Sequence, residues 1–228
     1  MAGAVLEALL LARLISLKLH KTYAFVTLYW AVAIIIDVSH WVVGWDSKDS
    51  LQIALHEPLI LAVLYPLLVW DVFEEIKPKL AVTLRFQATR MISGLVVTVI
   101  MSGIWALFFL DELAKSPGGP LVQFGLFLWL GSMSVSALFL ISVYRATKKQ
   151  GLALPRNTTV WLWLASIVLA ADFTEFLLLL AGPLLSKSSM EVVDMILQLV
   201  FIGVIVWCGI RMRPVPSNVS SEPERARL

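Results

Sequence analysis

Seven apolar runs, each close to twenty residues long and separated by short charged connections, dominate the chain and leave it few ways to fold. A run of that length spans a hydrocarbon layer of roughly 30 Å when helical, and in lipid a helix satisfies its own backbone N–H and C=O groups. The runs fall at about 2–18, 22–45, 51–71, 88–110, 120–144, 158–183 and 190–211. They predict an all-α, polytopic transmembrane bundle of seven spans over residues 1–213, followed by a disordered cytoplasmic tail, rich in Pro, Ser, Glu and Arg, over 214–228. Glu7 and Arg13 interrupt the first run, so a helix lying in the interface is the alternative there.

Only 15% of the 228 residues are charged, against roughly 25% in a soluble domain, which excludes an ordinary soluble enzyme. Cys208 is the single cysteine and excludes an internal disulfide, a CxxC redox pair and a cysteine-rich metal centre. A net charge of +2 argues against a nucleic-acid partner. The first residues, MAGAVLEALL, lack the basic stretch of a signal peptide, so the first segment is expected to be retained.

Lysine and arginine set the expected orientation, because they are kept on the cytoplasmic side during insertion. Lys48, Lys115 and Lys187 lie in one alternate set of connections, and the remaining fifteen Lys and Arg lie in the other. Seven spans then place the N-terminus outside and the C-terminus inside. Eleven of the sixteen acids fall on the outer half, among them Glu7, Asp37, Glu57, Asp172, Glu175, Glu191 and Asp194. Such a field attracts cations to the outer mouth.

Asp37 stands about nine residues before the end of its span, roughly 13 Å below the interface at 1.5 Å per residue. His40 shares its helix face at i+3, and the next span opens LQIALHEP with His56 and Glu57. A turn near Lys48 leaves His40 and His56 eight residues away on either side, at similar depth. Near the other end of the chain, Asp172 and Glu175 stand at i and i+3, with Glu191 and Asp194 on the following span. IIDVSHW (35–41) aligns with AADFTEF (170–176) at an offset of 135, as a parallel 3+1+3 repeat requires.

Three readings of these groups stay open. Asp37, His40, His56, Asp172, Glu175 and Asp194 form a cation, proton or polar-ligand site; or His40, His56 and Asp37 ligate a divalent metal; or the acids make interhelical hydrogen bonds. A bis-histidine haem could use only His40 and His56, which argues against haem. The sequence holds no GxSxG elbow, no Walker A loop and no phosphotransferase-type string of aspartates. The tryptophans, including Trp30, Trp41, Trp105, Trp161 and Trp207, read as an interfacial belt. Pro66 predicts a freed carbonyl within the third span, and WLGSMSVSALF, with Gly131, Ser132, Ser134 and Ser136, predicts close helix approach in the fifth.

The basic KLHKTYAF connection, the HEPL opening of the third span and LPRN before the sixth resemble a group of uncharacterised bacterial seven-span membrane proteins. The resemblance implies a bacterial inner membrane and supplies no activity. In outline the chain is also similar to small sugar transporters of the SWEET type, but it lacks the Pro-Gln dipeptide of their PQ-loop relatives. The expected function is a small transporter or channel-like protein with an acidic pocket in its outer half. The alternative is a non-enzymatic sensor or assembly subunit that docks a cytoplasmic partner, or that associates with a membrane partner or a second copy.

Overall fold

Each apolar run becomes one helix because its Leu, Val, Ile, Ala and Phe content offers the backbone no better hydrogen-bonding partner than itself. The structure is a computed structural model and describes residues 2–44, 47–80, 82–108, 119–181 and 187–214. The helices are α1 (Ala2–Ser16), α2 (Ala24–Val43), α3 (Lys48–Ile76), α4 (Val82–Phe108), α5 (Gly119–Lys149), α6 (Arg156–Ala181) and α7 (Lys187–Arg211). There is no strand among the described residues.

Local chemistry sets several of the ends. Gly44 stops α2 at φ +83°, and Ser47 opens α3 by accepting a bond from the Ser50 amide at 3.0 Å. Gly151, at φ +63°, closes α5, with Gly151 N–H on the Lys148 carbonyl at 3.2 Å and Leu152 N–H on the Thr147 carbonyl at 3.0 Å. That pair of bonds needs a left-handed residue at its centre, which glycine adopts without strain.

Among the described residues, five helices are long and apolar enough to cross a membrane: α2, α3, α4, α5 and α6. The 15 residues of α1 reach only about 22 Å, and among the described residues of α7 the apolar stretch found is Met195–Arg211. The protein is therefore a polytopic α-helical membrane protein. The tail from 215 onward lies outside the described residues.

Helix α3 is the hub, packed against α2, α5 and α6, while α1 closes onto α2 and α7. The shared core includes Trp30, Tyr65, Leu68, Phe73, Met133 and Trp161. Trp30 and Trp161 are thus core residues, not part of the expected belt, because aromatic contacts with Tyr29 and Tyr23 hold them inside the bundle. Trp41, Trp105 and Trp207 do face outward. Helix α4 packs on α5 and exposes Val96, Val97, Ile100, Met101, Leu107 and Phe108; lipid tails solvate such a face, so it needs no protein cover.

Helix α3 runs on through Pro58 and Pro66. Pro66 has no N–H for the carbonyl four residues earlier, that of Ala62. Ser132 of α5 donates its hydroxyl to this carbonyl, so the expected free acceptor and the expected serine-rich contact are one interaction. Ser132→Ala is expected to lower stability in detergent by about 1 kcal/mol, as for a lost interhelical bond. Ser132→Thr, which keeps the hydroxyl, tests whether the bond rather than the volume matters; equal losses in both variants would assign the effect to packing.

At the end of the bundle where α2 begins, two acids of α3 organise the chain. Asp71 Oδ2 accepts the Phe25 amide at 2.6 Å and the Val26 amide at 2.9 Å, capping α2 from a neighbouring helix. Tyr23, fully buried just before α2, donates its hydroxyl to Glu75. Burial first, and then the bond to Glu75, push that hydroxyl well above the usual tyrosine range, so it remains a donor. Asn157 opens α6 and ties down the chain after α7, giving its Nδ2 to the Arg213 carbonyl at 2.8 Å and accepting the Arg213 amide at 3.0 Å.

Candidate functional site: an acidic pocket between the helices

The connection through Leu19–Lys21 turns α1 back along α2, and this carries Glu7 to the level of Asp37. Gly3, one turn before Glu7, stands beside the Asp37 carboxylate: a Cβ added there would lie in ordinary contact, 3.7 Å from Asp37 Oδ2. Glu7 is only 5% exposed, and its Oε2 has no hydrogen-bond partner among the described residues.

These two acids face a cavity of about 250 Å³ that Glu57, Asp172, Tyr29, Gln198 and Phe201 also line. Five helices contribute: α1, α2, α3, α6 and α7. Four carboxylates converge, and no Lys or Arg is among the described lining residues. Asp172 is held from behind. The buried Tyr65 donates its hydroxyl to Asp172, and Trp129 Nε1 donates to Tyr65 Oη at 3.3 Å, a relay from α5 through α3 to α6.

A wider cavity of about 530 Å³ opens at the turn between α2 and α3, lined by His40, Ser47, Lys48, Ser50, Ala54 and Glu57. Glu57 lines both cavities and stands between them.

Among the residues expected to form the site, Asp37 and Asp172 share the acidic pocket, although 135 positions separate them. Neither histidine lines this pocket. His40 is buried, with Nδ1 2.7 Å from Ser50 Oγ, and this contact ties the end of α2 to the start of α3. His56 is exposed and donates Nδ1–H to the Gln52 carbonyl of its own helix at 2.8 Å. Among the described residues no group of three or more His, Cys, Asp or Glu is placed to hold a metal ion, so the set of His40, His56 and Asp37 expected for a metal is not brought together there. Equal distance from a turn sets similar depth but not direction, and the two rings point to different neighbours. The side chains of Glu175 and Asp194 lie outside the described residues.

Glu7, Glu57, Tyr65, Gln198 and Phe201 were not expected at the site. Glu7 carried a signal, a lone acid in an apolar run. Tyr65, Gln198 and Phe201 carried none, because nothing local marks which face of a mostly apolar helix turns inward.

Comparison of the chain with protein-family models, with curated proteins and with solved structures finds no match in any of the three. Fold and site together define a class only: a polytopic α-helical membrane protein with a cluster of acids inside its helical bundle.

Proposed function

We propose that this protein is a small transporter or channel-like protein that takes a cation or proton into the acidic pocket. The observation that carries the reading is the convergence of Glu7, Asp37, Glu57 and Asp172 on one cavity with no basic residue in its described lining. Acids inside a membrane bundle are costly to keep and are the usual marks of ion pathways. The wider cavity beside Glu57 supplies an approach from the α2–α3 turn.

In this reading all seven helices cross, with the N-terminus outside and the C-terminus inside, and the membrane is a bacterial inner membrane. The lysine and arginine asymmetry supports the orientation, and the packing of α1 against α2 and α7 supports its place in the bundle. The parallel 3+1+3 correspondence draws support from Asp37 and Asp172, its paired acids, lining the same pocket; against it, the paired helices α1 and α5 have 15 and 31 residues. The strongly basic connections favour the second reading, a sensor or assembly subunit with a cytoplasmic partner.

The test is thermal unfolding of detergent-purified wild type and the Asp37→Asn/Asp172→Asn variant across pH and a panel of cations. A cation at a hundred times its Kd stabilises the folded form by about 2.7 kcal/mol, a rise of roughly 5–10 °C for a chain of this size. Wild type is expected to show this rise and the double variant to lose it, with flux into vesicles lost in Asp172→Asn. No cation or pH response in wild type, or an equal response in both proteins, would reject the reading in favour of the sensor or subunit.

A further inference from the structure

We infer that the pocket is built for a small organic ammonium group, held by Glu7 and Asp37 against the rings of Tyr29 and Phe201. The inference rests on the cation-binding reading above and narrows it to a ligand class.

Space is the first argument. A cavity of about 250 Å³ has room for several waters, at about 30 Å³ each, and falls just under the roughly 300 Å³ at which small-molecule pockets begin. A dehydrated metal ion would leave most of it empty. The ligand set is the second argument. Metal ions demand three to eight close donors, and the described residues offer no such group. An ammonium ion carries a diffuse charge that needs one or two carboxylates and an aromatic face within about 6 Å.

Two rings, those of Tyr29 and Phe201, belong to residues lining the cavity, and their positions are held. Tyr29 stands edge-on to Trp30 at 5.3 Å between centroids, and Phe201 lies 5.9 Å from the same ring. Trp30 is fully buried and supports both aromatic walls. Glu7 lines the same cavity, and its Oε2 is buried with no hydrogen-bond partner among the described residues, an acceptor left for a ligand to satisfy. Leu61 and Ile36 complete a lining suited to alkyl groups.

Calorimetric titration of the detergent-purified full chain with methylammonium, tetramethylammonium, sodium, potassium and magnesium chlorides, at matched ionic strength, tests this. At least one of the two ammonium ions is expected to bind ten or more times tighter than any inorganic cation. Glu7→Gln should weaken it at least tenfold, and Phe201→Leu, which keeps apolar volume but removes the π face, about three- to tenfold. Sodium or potassium binding as tightly as the ammonium ions, lost in Glu7→Gln and unchanged in Phe201→Leu, would overturn the ammonium assignment and leave the cation pocket standing. Ammonium binding unaffected by both variants would place the ligand elsewhere and overturn the inference. No binding of any cation would remove the inference and the cation reading together.

Discussion

Asp71→Ala is expected to destabilise the protein by about 3 kcal/mol or more, the largest single-residue effect among the polar contacts of the bundle. Two backbone amides at the start of α2, those of Phe25 and Val26, lose their only observed acceptor at once. The first turn of a helix has no internal partner for its N–H groups, and Tyr23 in the cap position makes no side-chain cap bond. Each buried orphan costs about 1–3 kcal/mol, and the bonds lost are charge-assisted. Asp71→Asn keeps one acceptor oxygen and should lose about half as much. Unfolding by heat or by increasing sodium dodecyl sulfate in mixed micelles measures both. A loss below about 1 kcal/mol in Asp71→Ala would mean that water or another group reaches these amides, and that the α2–α3 contact rests on apolar packing alone.

The second large effect is expected at Gly131, where α5 meets α4. A Cβ placed there would collide with the Thr98 side chain, whose hydroxyl is already held by the Gly94 carbonyl at 3.0 Å. Gly94 in turn faces Val135, 3.2 Å from where its own Cβ would stand, so the two helices approach through a glycine on each. Gly131→Leu should therefore cost about 3 kcal/mol by forcing α4 away from α5. Gly131→Ala makes the argument sharper. On an open helix face the change would stabilise by about 1 kcal/mol through helix propensity; here it should destabilise. Adding Thr98→Ala removes the atoms in closest conflict, and the double variant should recover at least about 1 kcal/mol relative to additivity. A stabilising Gly131→Ala in the wild-type background would show that α4 stands off from α5.

These expectations separate what is local in this chain from what is not. The existence, order and approximate ends of the helices were legible because each is written in a contiguous stretch: about twenty apolar residues, then a charged or glycine-containing connection. Ser132 was legible as one of several hydroxyls able to bond across helices, but neither its acceptor nor the choice among them was: Ser134 bonds the Leu130 carbonyl of its own helix. Only the packing of α5 on α3 shows that the Ser132 acceptor is the carbonyl freed by Pro66. Asp71 passed unnoticed for the same reason. An acid at the end of a span reads as solvated by headgroups until a neighbouring helix begins beside it.

The site divides along the same line. Composition and hydrophobic patterning determined that this chain is helical and that it belongs in a membrane, because those properties depend on segment length and residue type alone. Tertiary structure decided that Asp37 and Asp172 share a pocket, that Glu7 and Glu57 join them, and that His40 and His56 serve the α2–α3 turn and the surface instead. The physical reason is rotational. In a helix that is apolar on nearly every side, sequence periodicity carries almost no information about which face turns inward, and only contact with the neighbouring helices selects it.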